Sequence, residues 1–263
     1  MTRTCPIPAL ASLLFGLVLA GVFSAQAQPV FSPATVGGPR SGQAAELFLP
    51  EGRGPFPAMV VLHGCDGVGP HYRNWARRLR RWGYAALLVD SFGPRGVREV
   101  CAHGREVPPE AQAADAFHAA AWLRTRPDIA PGRVGVIGFS HGGWAVLKAV
   151  LADAPPAGVA AFAAAIAFYP GCERPTAPLV TDTLILIGAD DDWTPPGRCV
   201  RWSQTVNRNG HALEMLTYPG AVHAFDTVAP LHVYVGHRVG GNPVAAADAE
   251  TQVRQFLAAR LAP

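Results

Sequence analysis

The stretch Arg133-Val134-Gly135-Val136-Ile137-Gly138-Phe139-Ser140-His141-Gly142-Gly143 carries an apolar run straight into a serine flanked by glycines. A short, continuously apolar segment reads as a strand buried on both faces, and the residues after Gly143 have helical character. Glycines on either side of Ser140 permit a sharp strand-to-helix turn that lifts the hydroxyl clear of the backbone. The helix then aims its N-terminus at the same point, where a developing oxyanion would sit.

Working outward, the same alternation recurs along the chain. Apolar strands are expected at residues 44–49, 58–63, 84–90, 160–168, 183–188 and 213–218. Helices are expected at 72–82, 109–125, 144–152, 198–207 and 245–261. Buried strands alternating with helices indicate an α/β protein with a mostly parallel central sheet covered by helices on both faces.

A serine hydroxyl becomes a strong nucleophile only when a base takes its proton and an acid orients that base. Both partners follow Ser140 in suitable places. Ala189-Asp190-Asp191-Asp192-Trp193-Thr194-Pro195 lies at the end of the 183–188 strand, and Tyr218-Pro219-Gly220-Ala221-Val222-His223-Ala224-Phe225 ends the next. Catalytic groups of open α/β sheets gather at these strand ends. His223 is the expected base, and the spacing from Gly188 favours Asp191 over Asp190 and Asp192 as the acid. After the 58–63 strand, His63-Gly64-Cys65-Asp66-Gly67 must turn sharply and present backbone N–H groups. The amides of Cys65 and His141 are the expected oxyanion donors. His63 and Asp66 read as residues that shape this loop.

The N-terminus stands apart. Arg3, an apolar run over residues 10–23 and Ala25-Gln26-Ala27 match a secretory leader ending at residue 27. Residues 28–42 read as a linker and 43–263 as one domain. Cleavage would leave a periplasmic or secreted protein with no stable membrane anchor. It would also leave four of the five cysteines. An even number in an oxidising compartment suggests two disulfides, and of three possible pairings Cys65–Cys101 with Cys172–Cys199 is preferred. No Cys or His spacing suggests a metal, and no cofactor is implied. With net charge +3 on 263 residues, and the densest arginines (73, 77, 78, 80, 81) at helical spacing, a solvated helix face is expected rather than a nucleic-acid surface.

With these motifs quoted, the chain resembles the dienelactone hydrolase family of α/β-hydrolases from about residue 43 to residue 261. The resemblance rests on Val60-Val61-Leu62-His63-Gly64, Val89-Asp90-Ser91-Phe92-Gly93, the Ser140 motif, Ala167-Phe168-Tyr169-Pro170, Gly188-Ala189-Asp190-Asp191 and the His223 segment. It implies the α/β-hydrolase fold, with Ser140 as nucleophile, Asp191 as acid, His223 as base and the Cys65 amide at the oxyanion hole. Family members proper carry a cysteine nucleophile and a glutamate before the oxyanion donor. Here those positions hold Ser140 and Gly64. The implied chemistry is hydrolysis of a small-molecule carboxylic ester or lactone through an acyl-serine. A peptidase or polyester hydrolase with the same triad is an alternative, as is a catalytically silent binding protein. Arg95 is a candidate for a substrate carboxylate, and Trp144, Tyr169, Trp193 and Phe225 are candidates for the pocket wall.

Overall fold

A computed structural model describes residues 1–2, the two-residue strand β1 (Val36–Gly37) and residues 45–263. The leader and most of the linker therefore lie outside the described residues. Within the linker, β1 pairs in parallel with β2 (Ala45–Phe48), so the first strand of the domain is not the free edge.

The sheet continues through β3 (Phe56–Leu62), β4 (Ala85–Val89), β5 (Ile129–Phe139), β6 (Ala165–Phe168), β7 (Thr183–Gly188) and β8 (Leu213–Tyr218). Their spatial order is β1-β2-β4-β3-β5-β6-β7-β8. Only β2 against β4 is antiparallel. All of β4, β6 and β7 is buried, as continuous apolar runs demand, whereas β8 is partly exposed at the sheet edge. The strand expected at 160–168 begins only at Ala165. The alanines before it lack the branched side chains that favour pleated backbone.

Helix α1 (Pro70–Arg81) buries Tyr72, Trp75, Ala76 and Leu79 and turns its arginines outward, where Arg73, Arg78 and Arg80 pair with Glu46, Glu250 and Glu51. Helices α2 (Pro109–Arg124) and α3 (His141–Ala149) pack on one another and on β5. Helix α4 (Pro196–Thr205) lies beside β8, and α5 (Pro243–Leu261) against β5 and β7. A hairpin of β9 (His232–Tyr234) and β10 (His237–Val239) precedes α5.

Register is what gathers the site. Leu62 pairs with Gly138, Phe139 with Phe168, Phe168 with Leu186, and Gly188 with Tyr218. Strands β3, β5, β6, β7 and β8 therefore end level, and the loops bearing Cys65, Ser140, Tyr169, Asp191 and His223 share one rim. Both preferred cystines form, Cys65–Cys101 and Cys172–Cys199.

Candidate active site

Ser140 sits between β5 and α3 with φ 51° and ψ −110°, a conformation that L-residues rarely adopt. Close approach of the backbone explains the flanking glycines. A Cβ on Gly138 would lie 2.2 Å from the Gly142 carbonyl oxygen, and one on Gly142 would lie 2.5 Å from the carbonyls of Leu62 and His63. The turn is anchored by the Ser140 N–H donating to the Phe168 carbonyl (3.0 Å) and by Trp144 N–H donating to the Ser140 carbonyl (2.8 Å).

Ser140 Oγ lies 2.9 Å from His223 Nε2, and His223 Nδ1 lies 2.8 Å from Asp191 Oδ2. His223 and Asp191 are buried while Ser140 reaches the surface of a cleft. With Nδ1–H donating to the carboxylate, Nε2 keeps its lone pair toward the hydroxyl, the tautomer that proton abstraction requires. The other Asp191 oxygen accepts the N–H groups of Trp193 (2.9 Å) and Thr194 (2.8 Å). Thr194 Oγ1 lies 2.9 Å from Asp191 Oδ2 and 3.1 Å from the Tyr169 carbonyl. Four donors thus surround one carboxylate and set its direction.

The neighbouring acids take other directions. Asp190 is exposed, and its backbone carbonyl accepts from Arg238 (2.9 Å). Asp192 accepts the Arg238 N–H (3.1 Å) and faces His237. Arg238 and His237 belong to the hairpin, so Asp192 fastens that hairpin to the acid loop. Among the described residues no group of three or more His, Cys, Asp or Glu is arranged to hold a metal ion.

On the opposite side of Ser140, the segment after β4 folds over the cleft. Val100 N–H donates to the Cys65 carbonyl (2.8 Å), Cys101 is bonded to Cys65, and His141 Nε2–H donates to the Gly104 carbonyl (2.9 Å). The His141 N–H, at the first position of α3, has no acceptor within the helix, and His141 lines the cleft. Burial pushes the His141 imidazole below its usual pKa, and the bond to Gly104 only partly offsets this. His63 is buried, with Nδ1–H donating to Gly64 O and Nε2 accepting the Ser91 N–H, and burial lowers its pKa as well. Asp66 accepts from the Tyr72 hydroxyl. Both residues shape the loop, as expected. Gly64, where the family resemblance places glutamate, has no room for one, since its Cβ would fall 2.5 Å from Tyr72 Oη.

A cavity of about 230 Å³ opens beside Ser140, walled by Trp144, Trp193, the Cys65–Cys101 cystine, Glu173 and Arg198. Of the residues proposed for a pocket wall, Trp144 and Trp193 line this cavity. Tyr169 and Phe225 do not. Both are buried, with the Tyr169 ring 4.8 Å from His223 and Phe225 packed behind Tyr169. Arg95 is also corrected. It makes a two-point contact with buried Asp115 (2.6 and 3.1 Å) and donates to the Ser91 carbonyl (2.6 Å), which turns the guanidinium away from the cleft.

Thr194 and Asp226 escaped the sequence reading. The Asp226 side chain is buried and accepts from Trp75 Nε1 (2.7 Å) and Tyr169 Oη (2.8 Å), with His71 Nε2 at 3.3 Å. Burial alone would raise its pKa, but His71 and these donors hold it below the usual carboxylate value. Its position three residues after His223 was the available signal.

The sequence profile of the Dienelactone hydrolase family matches residues 44–261. A Synechocystis homologue named carboxymethylenebutenolidase is 25% identical over 238 residues, covering 83% of this chain and 92% of its own. One of the same name from Methylorubrum extorquens is 28% identical, covering 79% and 81%. In fold the chain is similar to a dienelactone hydrolase-like promiscuous phosphotriesterase from metagenomic libraries (TM-score 0.70, 24% identity, 82% of this chain and 92% of that one). It is also similar to an esterase from Thermogutta terrifontis (TM-score 0.61, 18% identity, 83% and 90%). A mostly parallel sheet ending on one rim of site-bearing loops, matched over nearly the whole domain, leads to one conclusion: the chain belongs to the dienelactone hydrolase family and is a hydrolase of the α/β-hydrolase fold.

Proposed function

We propose that the protein is an exported serine hydrolase that cleaves a carboxylic ester or lactone through an acyl-serine intermediate. The observation that carries this reading is the continuous chain Ser140 Oγ, His223 Nε2, His223 Nδ1, Asp191 Oδ2, with contacts of 2.9 and 2.8 Å. His223 Nε2 takes the Ser140 proton as Oγ attacks the carbonyl carbon. The resulting oxyanion accepts from the backbone N–H groups of Cys65 and His141. His223 then protonates the leaving alkoxide as the C–O bond breaks, which in a lactone opens the ring. Water, deprotonated by His223, attacks the acyl-serine and returns Ser140 with its proton while the acid departs. Asp191 holds the tautomer and stabilises the imidazolium throughout.

The homologues' name refers to a butenolide, a cyclic ester, which favours esters and lactones over peptides as the substrate class. Export is supported by the leader pattern over residues 1–27 and by the two cystines, which persist in oxidising compartments. On this reading residues 28–42 are a linker and the mature protein carries no membrane anchor.

The test is fluorophosphonate labelling together with p-nitrophenyl ester hydrolysis. Wild type should be labelled at Ser140 and turn over ester, while Ser140→Ala does neither. An unlabelled, inactive wild type would identify a silent binding protein. Faster cleavage of peptides or polyester than of small esters and lactones would select the alternative hydrolase reading.

A further inference from the structure

The cavity beside Ser140 does not end at its outer wall. Cys172, Glu173 and Arg198 line it and also line a second, larger groove of about 800 Å³ running along α4. That groove is faced by Arg174, Arg198 and Arg201, with Trp202 in its floor. All three arginines are exposed. Among the described residues none of them has a carboxylate within ion-pair distance, although Arg80, Arg105 and Arg238 elsewhere on the surface each do. The groove's own acid, Glu173, is already engaged by Arg105 and by Lys148 (2.8 Å).

Three unpaired guanidiniums along one concave surface create a strong local positive potential. The first turn of α4 adds to it, since Thr194 and Pro195 bring that helix N-terminus to the cavity wall. Guanidinium forks match carboxylates in a planar, two-point geometry. Several cations in a row, leading away from a nucleophile, suit a ligand with several carboxylates rather than a single one.

We propose that this groove binds a carboxylate-bearing chain attached to the ester that Ser140 cleaves, with Arg198 at the junction and Arg174 and Arg201 farther out. The proposal rests on the hydrolase reading only for its link to the scissile bond. Direct binding to the groove can be measured without turnover.

The experiment uses the Ser140→Ala protein, titrated with trigalacturonate (three carboxylates) and with maltotriose (a neutral sugar of the same length), and followed by tryptophan fluorescence and calorimetry. Trigalacturonate should bind at least about tenfold more tightly than maltotriose. The difference should vanish in Arg174→Gln/Arg198→Gln/Arg201→Gln and at about 0.5 M salt, while exposed Arg77→Gln leaves it intact. In the wild type, trigalacturonate should inhibit p-nitrophenyl butyrate hydrolysis competitively. Equal affinity for the two sugars, or a difference that survives the triple substitution, overturns the proposal. Binding without competition overturns the link to the scissile ester. If the wild type hydrolyses no ester at all, the hydrolase reading fails, and the Ser140→Ala titration still decides whether the groove takes anionic chains.

Discussion

The two sides of Ser140 are held by different physics. On the His223 side, Asp191, Thr194 and His223 are fixed by hydrogen bonds beside the main core, with the Trp193 and Tyr169 rings 4.9 and 4.8 Å from His223. On the opposite side, the 92–107 segment rests on a satellite core of only Phe92, Val100 and Val107, packed with partly buried neighbours. A cluster that small contributes little burial energy, and a covalent staple between Cys65 and Cys101 takes its place. The comparison teaches that a segment with little apolar burial of its own can be held in place by a cross-link. A loop on the core needs only directed hydrogen bonds.

The largest effect should come from the hydrogen-bonded side. Asp191→Asn should lower kcat by about 10²–10⁴, and Asp190→Asn should leave ester turnover near wild type. A reversed pattern in steady-state kinetics would show that the acid has been misassigned.

Next comes the buttress of the stapled side. Arg95→Gln leaves Asp115 buried without its cation and should cost about 3 kcal/mol in chemical denaturation. The KM of the protein that remains folded should stay unchanged. A raised KM for carboxylate esters alone, without loss of stability, would return Arg95 to the substrate site.

Breaking the staple itself should be milder. Cys101→Ser frees the Cys65 loop without deleting its amide, so kcat should fall roughly tenfold with KM little changed. Parallel loss of Cys199 with Cys172 should move kcat less. If the two cystines prove equivalent in kcat, the oxyanion loop is not specially dependent on its cross-link.

The smallest effect concerns the support beneath His223. Burial would lower the His71 pKa, but Asp226 outweighs it and the folded pKa lies above 6.5. Stability from the His71 proton is therefore fully present below pH 6.5 and is lost as pH rises through that raised value. Asp226, with its lowered pKa, contributes above its unfolded value near 3.8 and loses that contribution as pH falls through the folded one. The Tm deficit of His71→Gln should be roughly 2–4 °C in mildly acidic buffer and shrink toward alkaline pH. A deficit that grows with pH would contradict the ion pair.

Much of this architecture is legible in the sequence. Strands such as Thr183–Gly188 are apolar at nearly every position, so burial on both faces could be read directly. The glycines around Ser140, the order of Asp191 and His223 after it, and the even cysteine count each follow from local chemistry. The hairpin of His232–Tyr234 and His237–Val239 was not legible, because its short, largely exposed strands lack any apolar alternation.

What the sequence by itself determined is the alternation of buried strands with helices, the strained turn at Ser140 and the identity of the groups that could meet there. Those properties reside in single residues and short periods. Only the tertiary structure decided direction. Asp190, Asp191 and Asp192 are adjacent in the chain, yet one faces His223, one faces Arg238 and one faces solvent. Arg95 turns to Asp115, while Arg198, which no motif singled out, reaches the cavity beside Ser140. A side chain's target depends on the register and packing of distant strands, and that information is not local.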